Sequence, residues 1–130
     1  MKTVFSAKKV LALLILALAT ADVTLPVLAM EVTNGEVLEK VNGKYGANLE
    51  SVVGARVDTD LTNATITNTQ TNSVLKWTDL NVAPKQTLDF VMSDGQTSLN
   101  TITGMGLSQF AGTIKAEHGR LIISNPNGII

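Results

Sequence analysis

The chain of 130 residues carries 10 basic and 11 acidic side chains, one histidine and no cysteine. Lysines and arginines this scattered exclude a nucleic-acid groove or a polybasic membrane patch, both of which need clustered cations. Without cysteine there is no disulfide framework, so a domain of this size must hold together through stacked secondary structure or through more chain.

The first element is a leader. Lys2, Lys8 and Lys9 precede an uncharged apolar run from Val10 to Ala19, which is followed by small residues, Asp22 and Pro26. That run is about half of the ~20 residues needed to span a bilayer. The pattern predicts a signal-peptide helix, removed as residues 1–29, that hands the chain to the Sec machinery. Cleavage is expected after Ala29, with Ala21 as the alternative, because Val27-Leu28-Ala29 and Ala19-Thr20-Ala21 both satisfy the small-residue rule. Residues 30–130 form the mature piece. They keep seven basic and ten acidic side chains and are mildly acidic.

Glu36 to Val41 is the best helical candidate after the leader, limited to a turn or two by Gly43 and Gly46. Everything beyond it is predicted as short strands: Val52–Val57, Val74–Trp77, Thr87–Met92, Ser98–Thr103, Gln109–Ala116 and Arg120–Ser124. Asn34-Gly35, Asn42-Gly43, Asp94-Gly95, Gly104 to Gly106 and His118-Gly119 supply the turns. Threonines at 65, 67, 69 and 71 recur at every second place, which fits a strand with a hydroxyl row on one face. Leu88, Phe90 and Met92, and likewise Phe110, Gly112, Ile114 and Ala116, are spaced to line walls of a core. Trp77 closes an apolar strand and is expected to anchor that core. The chain is therefore predicted to be all-β. Strands this short, joined by turns this tight, fit either a sandwich or a solenoid.

The last element is Leu121-Ile122-Ile123-Ser124 running into Asn125-Pro126-Asn127-Gly128-Ile129-Ile130. Pro126 presets φ for the second position of a type I turn, Asn125 can bond the backbone two residues on, and Gly128 is permissive at the last position. Apolar residues on both sides place the turn at the bend of a buried layer.

Catalytic patterns are missing. His118 is the only histidine, and no cysteine, Gly-x-Ser-x-Gly or histidine pair accompanies it. Asp58-x-Asp60 does not continue as a calcium loop, and Gly104-x-Gly106 lacks a third glycine. No catalytic residue, metal ligand or cofactor site is nominated, and the chain is not expected to be an enzyme. Asp79, Asp89, Asp94 and Glu117 are too dispersed to nominate a carboxylate pair.

From Gln70 to Ile129 the chain resembles the amino-terminal secretion domain of filamentous-haemagglutinin-type exoproteins, the exported partners of two-partner secretion systems. The segments that carry the likeness are Gln70, Asn72 to Trp77 with Leu80-Asn81-Val82, Leu88-Asp89-Phe90, Leu99 to Gly104, Phe110 to Ala116, and Leu121 to Ile129. Two departures keep the core pattern: Leu80 stands where Phe is usual and Thr101 where Arg is common. The family's second, Asn-Pro-Asn-Leu element is not found.

The resemblance implies a right-handed parallel β-helix with amino-terminal capping strands, incomplete at its C-terminal end. It implies a domain that targets a large adhesin-like or haemagglutinin-like surface protein for export from a Gram-negative bacterium. The partner implied is a dedicated outer-membrane β-barrel transporter with periplasmic domains. Asn125, Pro126, Asn127, Gly128 and Ile129 are the expected recognition or folding-nucleus residues, with Trp77 as core anchor. Contact with a host or neighbouring cell surface would lie in regions downstream. The competing reading is a self-contained surface β-helix that binds or cleaves polysaccharide, which would need paired carboxylates or an exposed aromatic row.

Overall fold

The computed structural model describes residues 28–130. The predicted signal helix and the alternative cleavage site at Ala21 lie outside those residues. The described chain is all-β, with no helix.

Ten strands follow one another: β1 (Met30–Glu31), β2 (Gly35–Val41), β3 (Lys44–Val53), β4 (Ala55–Thr59), β5 (Asn63–Asn68), β6 (Asn72–Leu80), β7 (Thr87–Val91), β8 (Thr97–Ile102), β9 (Thr113–Lys115) and β10 (Arg120–Ser124). They form two five-stranded mixed sheets, ordered β1-β4-β5-β7-β9 and β10-β8-β6-β3-β2. The amino-terminal part is antiparallel, with β2 on β3, β3 on β6, β1 on β4 and β4 on β5. From β5 onward the chain alternates between the sheets, and each pass after the first adds one parallel strand to both. Asn63 lies beside Thr87 and Thr87 beside Thr113 in one sheet, Asn72 beside Thr97 and Thr97 beside Arg120 in the other. Three passes result: β5 with β6, β7 with β8, and β9 with β10.

The two inner faces share one core. Along β6, Ser73, Leu75 and Trp77 are buried while Val74 and Lys76 are exposed, the period of two that a half-buried strand dictates. Leu88 and Phe90 in β7, Ile66 in β5, Ile102 in β8 and Val37 and Leu38 in β2 fill the same interior. Met92, just past β7, continues the buried row. On the outer face of the second sheet Val53, Val74, Leu99 and Ile122 stand in direct register, one per strand. Aliphatic neighbours at that spacing add cross-strand packing to the ladder of backbone bonds.

Four sequence expectations need correction. The threonine row stops at Thr67, because β5 ends at Asn68 and Thr69 and Thr71 lie in the bend before β6. Glu36 to Val41 is strand β2 and not a helical turn: Asn42 (φ 53°) and Gly43 (φ 75°) form the two-residue turn of a hairpin, whose left-handed angles match the twist of the flanking strands. Val52 to Val57 is not one strand. Gly54, at φ 78°, bends the chain out of β3 and into β4, which belongs to the other sheet. Gln109 to Ala116 shrinks to an isolated bridge at Phe110 and the three residues of β9, leaving Ala116 exposed. The cause is close approach at Gly112, where a Cβ would collide with the Ala83 carbonyl oxygen and crowd the Gln86 carbonyl and the Val82 side chain.

One turn is built from a residue poorly suited to it. Pro84 and Lys85 sit in a turn closed by the Gln86 N–H donating to the Ala83 carbonyl (3.0 Å), with Lys85 at φ 71°. That is the position where a type II turn favours glycine. Lys85→Gly is expected to raise stability by about 0.5–1 kcal/mol, the relief of a left-handed side chain net of glycine's entropy. Chemical denaturation would show it as a higher midpoint with an unchanged slope.

Candidate functional site

The carboxy-terminal corner is specified locally and then latched to the chain beneath it. The Asn125 carbonyl accepts the Gly128 N–H at 3.1 Å, closing a turn with Pro126 at its second position, and Gly128 sits at φ 115°. The Asn125 side-chain Oδ1 accepts the Asn127 N–H at 2.9 Å. Such a bond fixes an asparagine against its own turn and leaves its amide nitrogen free to reach elsewhere.

That nitrogen reaches the preceding corner, residues 104–108. Asn125 Nδ2 donates to the Gly106 carbonyl (3.0 Å) and to the Ser108 hydroxyl oxygen (3.0 Å), while Asn127 Nδ2 donates to the Gly104 carbonyl (2.8 Å). Ile129 then pairs with Ser108 as an isolated parallel bridge. The Ser108 N–H donates to the Gly128 carbonyl (3.0 Å), the Ile130 N–H to the Ser108 carbonyl (2.8 Å), and the Phe110 N–H to the Ile130 carbonyl (2.9 Å). Gly104 is itself seated on the corner below, its N–H donating to the Thr78 carbonyl (3.0 Å). A Cβ at Gly104 would collide with that same oxygen. The structure thus brings Asn125, Pro126, Asn127, Gly128 and Ile129 together as one corner whose amides are engaged within the fold. Pro126, Asn127 and Ile129 remain exposed.

Trp77 lies elsewhere, fully buried in β6, its indole N–H donating to Asn100 Oδ1 at 2.9 Å. Asn100, also fully buried, was not singled out by sequence reasoning. Its signal was a polar residue at an inward place in the alternation Ser98, Asn100, Ile102. Gln86 was missed as well. It is buried in a turn and bonds three backbone groups, accepting from the Ala83 N–H (2.9 Å) and donating to the carbonyls of Glu39 (2.9 Å) and Leu61 (3.4 Å).

The acidic residues do not converge. Asp79 accepts from the Asn48 amide (3.0 Å), and Asp94 faces His118 (3.1 Å) across an exposed pair of the kind that contributes little to stability. Asp89, Lys115, Glu117 and His118 line a shallow hollow beside Phe90 and Met92. No three His, Asp or Glu residues among those described are grouped to hold a metal ion. Of the aromatics among the described residues, Trp77 and Phe90 are buried, and Tyr45 and Phe110 are half-buried, so no exposed aromatic row forms there.

The family model of the TPS secretion domain matches residues 40–130, a span that runs from the hairpin through the last corner. The chain belongs to that family. It is the amino-terminal secretion domain of a two-partner secretion exoprotein, a targeting domain and not a member of a catalytic family. Membership places it among secreted exoproteins of Gram-negative bacteria that are exported across the outer membrane. A search of the curated proteins finds no match.

Proposed function

We propose that this TPS secretion domain directs a large adhesin-like or haemagglutinin-like exoprotein to its own outer-membrane β-barrel transporter, and that it is not itself an enzyme. In this reading residues 1–29 are the signal peptide that brings the chain through the Sec machinery into the periplasm. Residues 30–130 are the opening of a right-handed parallel β-helix. The three passes support that architecture, because the second and third each add one parallel strand to both sheets and successive corners are seated on one another. Strands β1 to β4 would be its amino-terminal cap.

The observation that carries the proposal is the latched corner at Asn125 to Ile129, placed within a family whose shared property is targeting. Its asparagine amides hold the register of one pass on the last. The segment therefore acts in export as a folding nucleus, while the exposed Pro126 and Ile129 are the parts left for contact with the transporter's periplasmic domains. Before folding, the same stretch is an extended chain that can be captured by strand addition, through main-chain bonds and alternate side chains.

Deleting residues 30–130 from the full-length exoprotein, with the signal peptide retained, tests this. The shortened protein is expected to accumulate in the periplasm and to be missing from the cell surface and medium. Surface or medium levels equal to those of the intact protein would overturn the targeting role.

A further inference from the structure

The chain is rich in asparagine, and three of its buried asparagines do more than satisfy local turns. Asn100, in the second pass, accepts the indole N–H of Trp77 in the first (2.9 Å) and donates to the Ile122 carbonyl in the third (3.4 Å). Asn81, between the first and second passes, bonds backward to the Gly46 carbonyl of the hairpin through both its backbone N–H (3.1 Å) and its side-chain amide (2.9 Å). Its Oδ1 accepts the Gln109 N–H (2.8 Å), which leads into the third pass. Asn68 in β5 donates to the Thr97 carbonyl of the second pass (3.0 Å) while accepting from the Ser73 hydroxyl (2.9 Å). Asn100 is wholly inaccessible and Asn68 and Asn81 are each 9% exposed. No buried side-chain nitrogen or oxygen among the described residues lacks a partner.

We infer that these amides couple the passes, so that the stack folds and unfolds as one unit instead of pass by pass. A stack whose neighbouring units are weakly coupled loses its end units one at a time. Here removing the second pass strips the partner from the Trp77 indole and from Asn68, and removing the third strips one from Asn81 and one from Asn100. Each seam that opens loses these bonds together with the apolar contact around them, which penalises every partly assembled state. In export, such coupling keeps a chain whose later passes have not yet arrived open and threadable. That consequence rests on the function proposed above, whereas the folding claim stands by itself: failure of the export test would leave the folding measurement untouched.

Trp77 is the only tryptophan of the chain and lies at the seam between first and second passes, so its emission reports that seam while far-UV circular dichroism reports all strands. In urea titrations of the whole secretion domain, the two signals are expected to share one midpoint and one slope. In Asn100→Leu the emission midpoint should fall below the dichroism midpoint, because the seam now opens separately. Asn81→Ala should split the same signals in a protein that keeps the Trp77 bond. Non-coincident midpoints in the unaltered protein, or variants whose two midpoints move down together, would overturn the coupling. Should neither variant fold, hydrogen exchange of the unaltered protein decides: amides of β5 to β8 opening with one common free energy support the inference, and a graded series from β5 to β8 refutes it.

Discussion

Trp77→Ala is expected to destabilise the domain by about 3–5 kcal/mol, the range for truncating a large buried aromatic. Trp77 heads the fully buried side chains by size, and the substitution also orphans the Asn100 carboxamide oxygen. Natural domains are held by only about 5–15 kcal/mol, so a loss of this size leaves a substantial unfolded population. Trp77→Phe separates the two causes. It keeps most of the aromatic volume but removes the donor, and it should cost about 1–3 kcal/mol, the penalty of a buried acceptor left unpaired. Urea denaturation followed by circular dichroism measures both variants. Equal stabilities for Trp77→Ala and the unaltered protein would contradict the placement of this side chain in the core.

The second large effect concerns the last corner. Replacing Asn125 and Asn127 together by alanine removes the side-chain bonds to Gly104, Gly106 and Ser108 and the bond that fixes the turn itself. At about 0.5 kcal/mol each, the low end appropriate to exposed bonds, the double variant should lose about 2 kcal/mol. The larger consequence is expected in cells. At equal expression, with the transporter present, the full-length double variant should accumulate in the periplasm and fall at the surface and in the medium. Pro126→Ala, which leaves both amides in place, should be the milder change. Unchanged surface and medium levels in the double variant would count against a role for the corner in export.

Much of the fold was legible because the chain punctuates itself. Asn42-Gly43 was readable as a turn, and it adopts left-handed angles at both places. The alternation from Leu88 to Met92 puts Leu88, Phe90 and Met92 inside. The stretch Glu36 to Val41 misled because two of its three apolar residues, Val37 and Leu38, are adjacent. A β-bulge between Glu36 and Leu38 turns both inward and erases the period of two by which a strand is recognised. Gly54 was invisible for a different reason: whether a glycine within an apolar run bends the strand depends on which sheet receives the next residue, which is a matter of tertiary pairing.

At the candidate site the division is similar. The turn at Asn125 to Gly128 followed from the chemistry of four residues, including the bond from Asn125 Oδ1 to the backbone two residues on. Its partners in residues 104–108 did not, because a chain read in one dimension does not say which earlier corner lies underneath. Asn81 and Asn100 were hidden in the same way. Each satisfies groups far away in sequence that become neighbours only once the passes stack.

The domain is proposed to direct a chain out through a dedicated transporter. The most direct measurement joins residues 30–130, behind residues 1–29, to a soluble reporter and quantifies the reporter in the medium of Gram-negative cells with and without the cognate outer-membrane transporter. Release that requires both the transporter and the domain is the predicted result. Reporter that reaches the medium equally well without the transporter, or that stays in the periplasm when the transporter is present, would contradict the account.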